Sequence, residues 1–252
     1  MCGIIGYVGH RESYPTILKG LQRLEYRGYD STGIALLDGN IQVYKKAGKV
    51  KDLTAYIDNK PLHSHIGMGH TRWATHGIPN DINAHPHLSN SGKLAIIHNG
   101  IIENYNTLKQ ELLKKGYVFT SDTDTEILIN FIEDIQLYND CSLEEAVRLA
   151  LHKVVGAYAI IIMSEELPNT LIAARKSSPL VIGIGKDEFF IASDATPILE
   201  YTDQVVYLND YEIAIIKDGQ FFLSNSKNVP LTPYIQKLDM ELEAIEKGGF
   251  EH

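Results

Sequence analysis

The chain has 252 residues, 44% hydrophobic and 22% charged, with a net charge of −9. That is the size and make-up of a soluble globular domain, and the acidic balance argues against a nucleic-acid partner. No apolar run approaches the roughly 20 residues that cross a bilayer, and no charged-then-apolar leader opens the chain, so neither membrane nor secretory signal is expected. Two cysteines, Cys2 and Cys141, do not make a disulfide framework, which points to a reduced, cytoplasmic setting.

Cys2–Val8 reads as a short, buried, glycine-marked strand. Ser13-Tyr14-Pro15 opens a helix with Ser13 as its cap, Ile17, Leu18, Leu21 and Leu24 recur at helical spacing, and Gly28 follows the stop. Thr32–Leu37 and Ile41–Lys45 form a hairpin around Asp38-Gly39-Asn40. Strands follow at Ile66–Arg72 and Lys93–His98, with a loop rich in histidine and proline between them. Leu108, Leu112 and Leu113 mark a helix ending at Gly116, and Thr125–Leu137 marks a second. Ser142-Leu143-Glu144-Glu145 is a capping box that opens a third. Strands return at Ala157–Met163, Leu171–Ala174, Leu180–Ile184, Phe189–Ala192, Gln204–Tyr207, Glu212–Ile216 and Gln220–Leu223. Strands outnumber helices and hairpin signals abound, so two antiparallel sheets stacked face to face with helices outside are expected. Asp239–Lys247, charged and helix-prone, with Gly248-Gly249 behind it, reads as the start of a linker.

Removal of Met1 ahead of a small residue leaves Cys2 with both a thiol and a free α-amine, a nucleophile carrying its own base. The competing reading is a small buried residue at a strand start. Seven of the ten histidines fall between residues 63 and 98: His63, His65, His70, His76, His85, His87 and His98. A histidine-rich metal module is one reading of them, but no cysteine pair or His-Glu-x-x-His stretch supports a zinc site, and loop packing accounts for them as well. Arg72, at a strand end beside Trp73, offers a fork for a carboxylate or is a surface arginine over a packed ring. Asn99-Gly100 reads first as a hairpin turn, and otherwise as paired donors for an oxyanion. Ser121–Glu126 opens a helix with more carboxylate than capping needs, enough to hold an ammonium. A nucleophile, oxyanion donors, a cation for a carboxylate and an anion for an amine together suit an α-amino acid with a side-chain amide.

The chain resembles the class II glutamine amidotransferases. Within them it resembles the glutaminase domains of the glutamine–fructose-6-phosphate aminotransferase (isomerising) family. The likeness runs through Cys2–Gly9, Leu24-Glu25-Tyr26-Arg27-Gly28-Tyr29-Asp30-Ser31, His70–Gly77, Asn83-Ala84-His85-Pro86-His87, His98-Asn99-Gly100 and Ser121–Glu126. It implies an α+β fold, the four-layer αββα sandwich of the N-terminal-nucleophile hydrolases, for residues 1–238, with 239–252 beginning an interdomain linker. It implies that Cys2 attacks glutamine while Asn99 and Gly100 stabilise the oxyanion. Arg72, with Thr75 and His76, would hold the α-carboxylate and Asp124 the α-ammonium. Arg27 would order the N-terminal site, and Trp73 would stand where ammonia leaves. No cofactor and no metal are implied. Family members continue into two sugar-isomerase domains that bind fructose 6-phosphate, and the full-length enzymes are expected as homodimers. The chain alone would then release glutamate and ammonia without making glucosamine 6-phosphate. Left open beside this are another amide hydrolase with an N-terminal cysteine, and a non-catalytic regulatory domain if Met1 stays.

Overall fold

The computed structural model describes residues 2–58, 60–73 and 78–238; Thr75, His76 and the expected linker at 239–252 lie outside the described residues. In chain order the elements are β1 Gly3–Val8, α1 Ser13–Leu24, a 3-10 turn at Glu25–Arg27, β2 Ser31–Asp38, β3 Asn40–Ala47, α2 Val50–Ile57, β4 Ile66–Arg72, β5 His87–Leu88 and β6 Leu94–Ile102. Then come α3 Tyr105–Lys114, α4 Asp124–Asn139, α5 Leu143–Lys153, β7 Gly156–Ser164, β8 Thr170–Lys176, β9 Val181–Ile184 and β10 Phe189–Ala192. The described chain closes with β11 Gln204–Tyr207, β12 Glu212–Lys217, β13 Gln220–Asn225 and β14 Gln236–Lys237.

The strands form two sheets, ordered β14-β11-β9-β10-β1-β4-β2-β3 and β13-β12-β8-β7-β6-β5. Neighbouring strands run antiparallel in both. Strand period two sorts the apolar side chains into layers. On β1, Ile4 and Val8 face the other sheet, while Ile5 and Tyr7 face α1. On β7, Ala159, Ile161 and Met163 join the inter-sheet core, and Tyr158, Ile160 and Ile162 pack under the helices α3–α5. A near-continuous apolar run such as Ala159–Met163 is what a strand buried on both faces requires. Three apolar cores between four layers result: α1 and α2 on the first sheet, the two sheets on each other, and α3–α5 on the second. This is the expected αββα sandwich.

α1 shows the local logic. Ile17, Leu21 and Leu24 recur at i, i+4 and i+7 and are fully buried against the first sheet. Truncating Leu21 to alanine would cost about 2–5 kcal/mol.

Three sequence expectations change. Ser13 is not a cap: it is the first helical residue, follows Glu12, and donates from Oγ to the Ile66 carbonyl. Asn99-Gly100 is not a turn, because β6 continues through it to Ile102 in unbroken register with β7. The capping box before α5 is half formed: Ser142 Oγ accepts from the Glu145 N–H over 3.2 Å, but the Glu145 carboxylate turns to Arg148. α2 carries little signal in the sequence: its Lys49-Val50 start lacks a usual cap residue, and its apolar face is only Val50, Leu53 and Ile57.

Candidate active site

Strand alternation carries the inter-sheet face of three strands outward into a polar cluster. The inward stripe of β1 runs back from Ile4 to Cys2. That of β4 runs from Met68 to His70 and Arg72, and that of β6 from Ile97 to Asn99. These residues therefore converge at one end of the inter-sheet core. Cys2 is drawn in tightly because Gly3 pairs with Thr71 and donates to its Oγ1 over 3.2 Å. A Cβ on Gly3 would lie 2.6 Å from both Thr71 Oγ1 and Leu24 Cβ, so only glycine permits that approach.

Cys2 is half-buried, and its Sγ accepts the backbone N–H of Trp73 at 3.2 Å. Burial pushes the thiol above its usual value, while the Trp73 hydrogen bond and the Arg72 charge pull the other way. From the opposite sheet, Asn99 Nδ2 donates to the Cys2 carbonyl at 2.8 Å, and Asn99 Oδ1 lies 2.9 Å from His70 Nε2. Gly100 next to it has φ +134°, and a Cβ there would sit 2.1 Å from the Ala157 carbonyl oxygen.

Two charged groups of opposite sign line the same cleft, which is also lined by Cys2, Trp73 and Gly100. Arg72 is buried at the end of β4; desolvation lowers its pKa, and the charges of Cys2, Asp124 and Asp30 oppose that. Asp124 opens α4 after the cap residue Thr123, whose side chain accepts from the Glu126 N–H. Asp124 Oδ2 accepts the Ile102 N–H at 2.7 Å, which ties the helix start to the end of β6. The pair matches the two charged ends of a free amino acid.

Arg27 does not reach the cleft lining. Its Nη2 donates to Asp194 Oδ2 over 2.6 Å, and Ser193 beside it exchanges hydrogen bonds with Ile4 at 3.0 and 3.1 Å. Arg27 thus braces the segment that holds the start of β1. Trp73 is half exposed and meets the Tyr29 ring edge-on at 5.5 Å.

The histidines divide. His63 and His65 are exposed and lie beside Glu12 and the Arg11 carbonyl. His70, His85 and His98 are buried and line the floor of the cleft, and His87 is buried next to His85. His70 stacks on His85 at 4.3 Å, and His85 meets His87 edge-on at 4.8 Å. Thr125 Oγ1 sits 2.8 Å from His85 Nε2 and 3.0 Å from His98 Nδ1, and Thr123 Oγ1 sits 3.0 Å from His87 Nε2. Desolvation holds His70 down at about 3 and His85 and His87 well below the ordinary value, so these rings are neutral. Among the described residues no three acidic, cysteine or histidine groups converge as a metal would need. Sequence reading gave these rings and Thr125 no place at the site. Strand parity could have found His70, two positions on from the core residue Met68.

Residues 70–200 match the family described as the glutamine amidotransferase domain. The chain is 57% identical over 255 residues to a glutamine–fructose-6-phosphate aminotransferase (isomerizing) from Bacteroides thetaiotaomicron, covering 100% of this chain and 42% of that protein. It is 53% identical to the protein of that name from Chlorobaculum tepidum, again over 100% of this chain and 42% of the relative. The chain therefore spans about two-fifths of the length of these curated relatives. Among solved structures, glutamine phosphoribosylpyrophosphate amidotransferase from B. subtilis superposes with a TM-score of 0.77 at 28% identity, over 89% of this chain and 49% of that one. With the sandwich, the cleft at its edge and these likenesses in agreement, the chain belongs to the glutamine amidotransferase domain family.

Proposed function

We propose that this chain hydrolyses L-glutamine to L-glutamate and ammonia through a thioester on Cys2. In the longer protein, the ammonia would pass to fructose 6-phosphate to form glucosamine 6-phosphate. The observation that carries the reading is the meeting of Cys2 with Asn99 from the opposite sheet, 2.8 Å from amide nitrogen to Cys2 carbonyl, in a cleft that also holds Arg72 and Asp124.

In this mechanism Met1 is absent and the Cys2 α-amine takes the thiol proton. Sγ attacks the side-chain amide carbon of glutamine, and the carbonyl oxygen becomes an oxyanion that receives N–H bonds from Asn99 Nδ2 and the Gly100 backbone. Collapse breaks the C–N bond, and the Cys2 ammonium gives its proton to the departing nitrogen, which leaves as ammonia. Water, deprotonated by the same amine, attacks the thioester, expels the thiolate and yields glutamate. Arg72, aided by Thr75 and His76, takes the α-carboxylate as a fork, and Asp124 takes the α-ammonium. Arg27 keeps the segment under β1 in place, and Trp73 stands at the mouth through which ammonia leaves.

The same reading makes residues 1–238 the glutaminase domain and 239–252 the start of a linker to two sugar-isomerase domains. It sets the full-length enzyme in the cytoplasm as a homodimer. The greater length of the relatives supports the further domains, and two free cysteines suit a reducing compartment. No helix among the described residues is long and apolar enough to cross a membrane.

The test is glutamate release by the purified chain, with intact mass recorded before and after an electrophilic glutamine analogue. Loss of Met1, one adduct on Cys2 blocked by excess glutamine, and no glutamate from Cys2→Ala are expected. Glutamate release by Cys2→Ala would overturn the reading. Equal turnover of butyramide, which lacks both amino-acid charges, would replace it with a general amide hydrolase.

A further inference from the structure

We infer that His70 is a positioning residue, whose Nε2–H holds the Asn99 side-chain amide with its oxygen turned away from Cys2 and its nitrogen turned toward it. The inference rests on the proposed glutaminase chemistry and names the group that sets one of its oxyanion donors.

The argument is a chain of forced hydrogen-bond directions. His70 Nε2 lies 3.1 Å from the His98 backbone carbonyl, and a carbonyl oxygen can only accept. Nε2 must therefore carry the proton. The same Nε2 lies 2.9 Å from the Asn99 amide, so the amide atom facing it must be the acceptor, Oδ1. The amide nitrogen is then left pointing at Cys2, where it meets the Cys2 carbonyl at 2.8 Å. A rotated Asn99 would place N–H against N–H at His70 and oxygen against oxygen at Cys2, two repulsive contacts in place of two hydrogen bonds. The other ring nitrogen agrees: His70 Nδ1 is buried with no hydrogen-bond partner, as suits a bare lone pair on a ring stacked against His85. A single carbonyl on β6 thus fixes a tautomer on β4, and the tautomer fixes an amide on β6.

The arrangement has a catalytic reason. An oxyanion donor is useful to the extent that it is already aimed when charge develops. Asparagine alone has two amide orientations of similar shape, and the wrong one would present an oxygen to a developing negative charge. Desolvation keeps His70 neutral through the physiological range, so its one ring proton stays on Nε2.

The experiment compares His70→Phe and His70→Gln, each alone and with Asn99→Ala, for glutamine turnover and for Cys2 alkylation by iodoacetamide. Alkylation displaces iodide directly at carbon and forms no oxyanion. His70→Phe should lower kcat about 100-fold, the usual effect of losing one oxyanion donor, with the glutamine KM within about threefold. His70→Gln, whose amide N–H reaches the Nε2 position, should restore kcat to within about fivefold of the unsubstituted chain. In the Asn99→Ala background His70→Phe should cost less than about threefold more, because two residues acting as one unit do not add. Alkylation rates should stay within about twofold throughout. Full and independent loss in the Asn99→Ala background, or alkylation that falls with kcat, would make His70 a structural residue only. Unchanged kcat in His70→Phe would overturn the inference outright.

Ring nitrogen shifts of the histidine-labelled, unsubstituted chain give a readout that needs neither variant nor turnover. The Nε2–H tautomer is expected for His70, and Nδ1–H would end the inference. If that chain releases no glutamate while His70 shows the Nε2–H form, the glutaminase reading fails and the Asn99 geometry stands.

Discussion

The backbone N–H of Trp73 points at Cys2 Sγ, 3.2 Å away, from the residue that immediately follows β4. It is a donor aimed at a sulfur that burial would otherwise keep protonated. The two effects oppose each other, with burial the larger, so the thiol is raised above its usual value and the thiolate fraction at neutral pH is reduced. With Met1 in place, iodoacetamide alkylation of Cys2 should therefore accelerate with pH and reach its half-point above about 8.5, the ordinary thiol value. Unfolding in urea should bring the half-point back to about 8.5. A half-point at or below that value in the folded chain would show that burial does not govern the sulfur.

Arg72 and Asp124 should act on binding more than on turnover. Arg72→Lys replaces a planar fork by a point charge and should raise the glutamine KM about 10–100-fold with kcat changed only a few-fold. Asp124→Asn should behave alike, because asparagine Oδ1 still accepts the Ile102 N–H that anchors α4. Steady-state kinetics of glutamate release check both. An unaltered KM in either variant would remove that residue from the substrate's grip.

Gly100→Ala should destabilise the chain by about 3 kcal/mol or more, from a strained φ and a forced overlap. The alanine Cβ would fall 2.1 Å from the Ala157 oxygen in the adjoining strand. Urea unfolding measures the loss, and glutamate release should vanish with it. A variant as stable as the unsubstituted chain would mean that β6 and β7 separate here at little cost.

The buried histidines make stability fall in mild acid. His70, His85 and His87 have folded-state pKa values below the unfolded value, so the unfolded chain binds more protons as soon as pH drops under about 6.5. Their contribution is complete above that pH and is lost on the way down, for His70 as far as about 3. Three such rings together lose about 4 kcal/mol per pH unit, and a typical domain has a margin of about 5–15 kcal/mol. Urea midpoints should therefore drop steeply between pH 6.5 and 5, before most carboxylates titrate. A flat profile across that window would mean that the rings protonate in the folded state.

Much of the architecture was legible because strands buried on both faces have few alternatives. Ala157–Met163 and Phe189–Ala192 are short apolar stretches bounded by turn or polar residues, and each is a strand near the expected bounds. Asn99-Gly100 misled because the pair has the composition of a hairpin turn. What overrides the local preference is pairing of β6 with β7 on both sides of the glycine, and that tertiary fact has no local trace. The same holds for Ser13, whose hydroxyl found the Ile66 carbonyl rather than its own helix. At the site, Cys2, Arg72, Trp73, Gly100 and Asp124 stand out by their chemistry and line one cleft, and Asn99 meets Cys2 through its amide. His70 and Thr125 do not stand out in the sequence, because a neutral buried ring and a hydroxyl look the same there whether they pack or position.

Cys2 and Arg72 belong to one sheet, whereas Asn99 and, through α4, Asp124 belong to the layers on the other side. The aliphatic slab between them, with Ile4, Met68, Ile97 and Ile161 in it, sets how far Cys2 stands from Asn99, and so, in the proposed mechanism, the nucleophile from its oxyanion donor. A change of one methylene in that slab, out of reach of any substrate, can alter turnover while leaving each sheet intact. On the proposed binding mode, glutamine lying between Arg72 and Asp124 would rivet the two halves together, so saturation with a substrate analogue would tighten the whole sandwich and not the cleft alone.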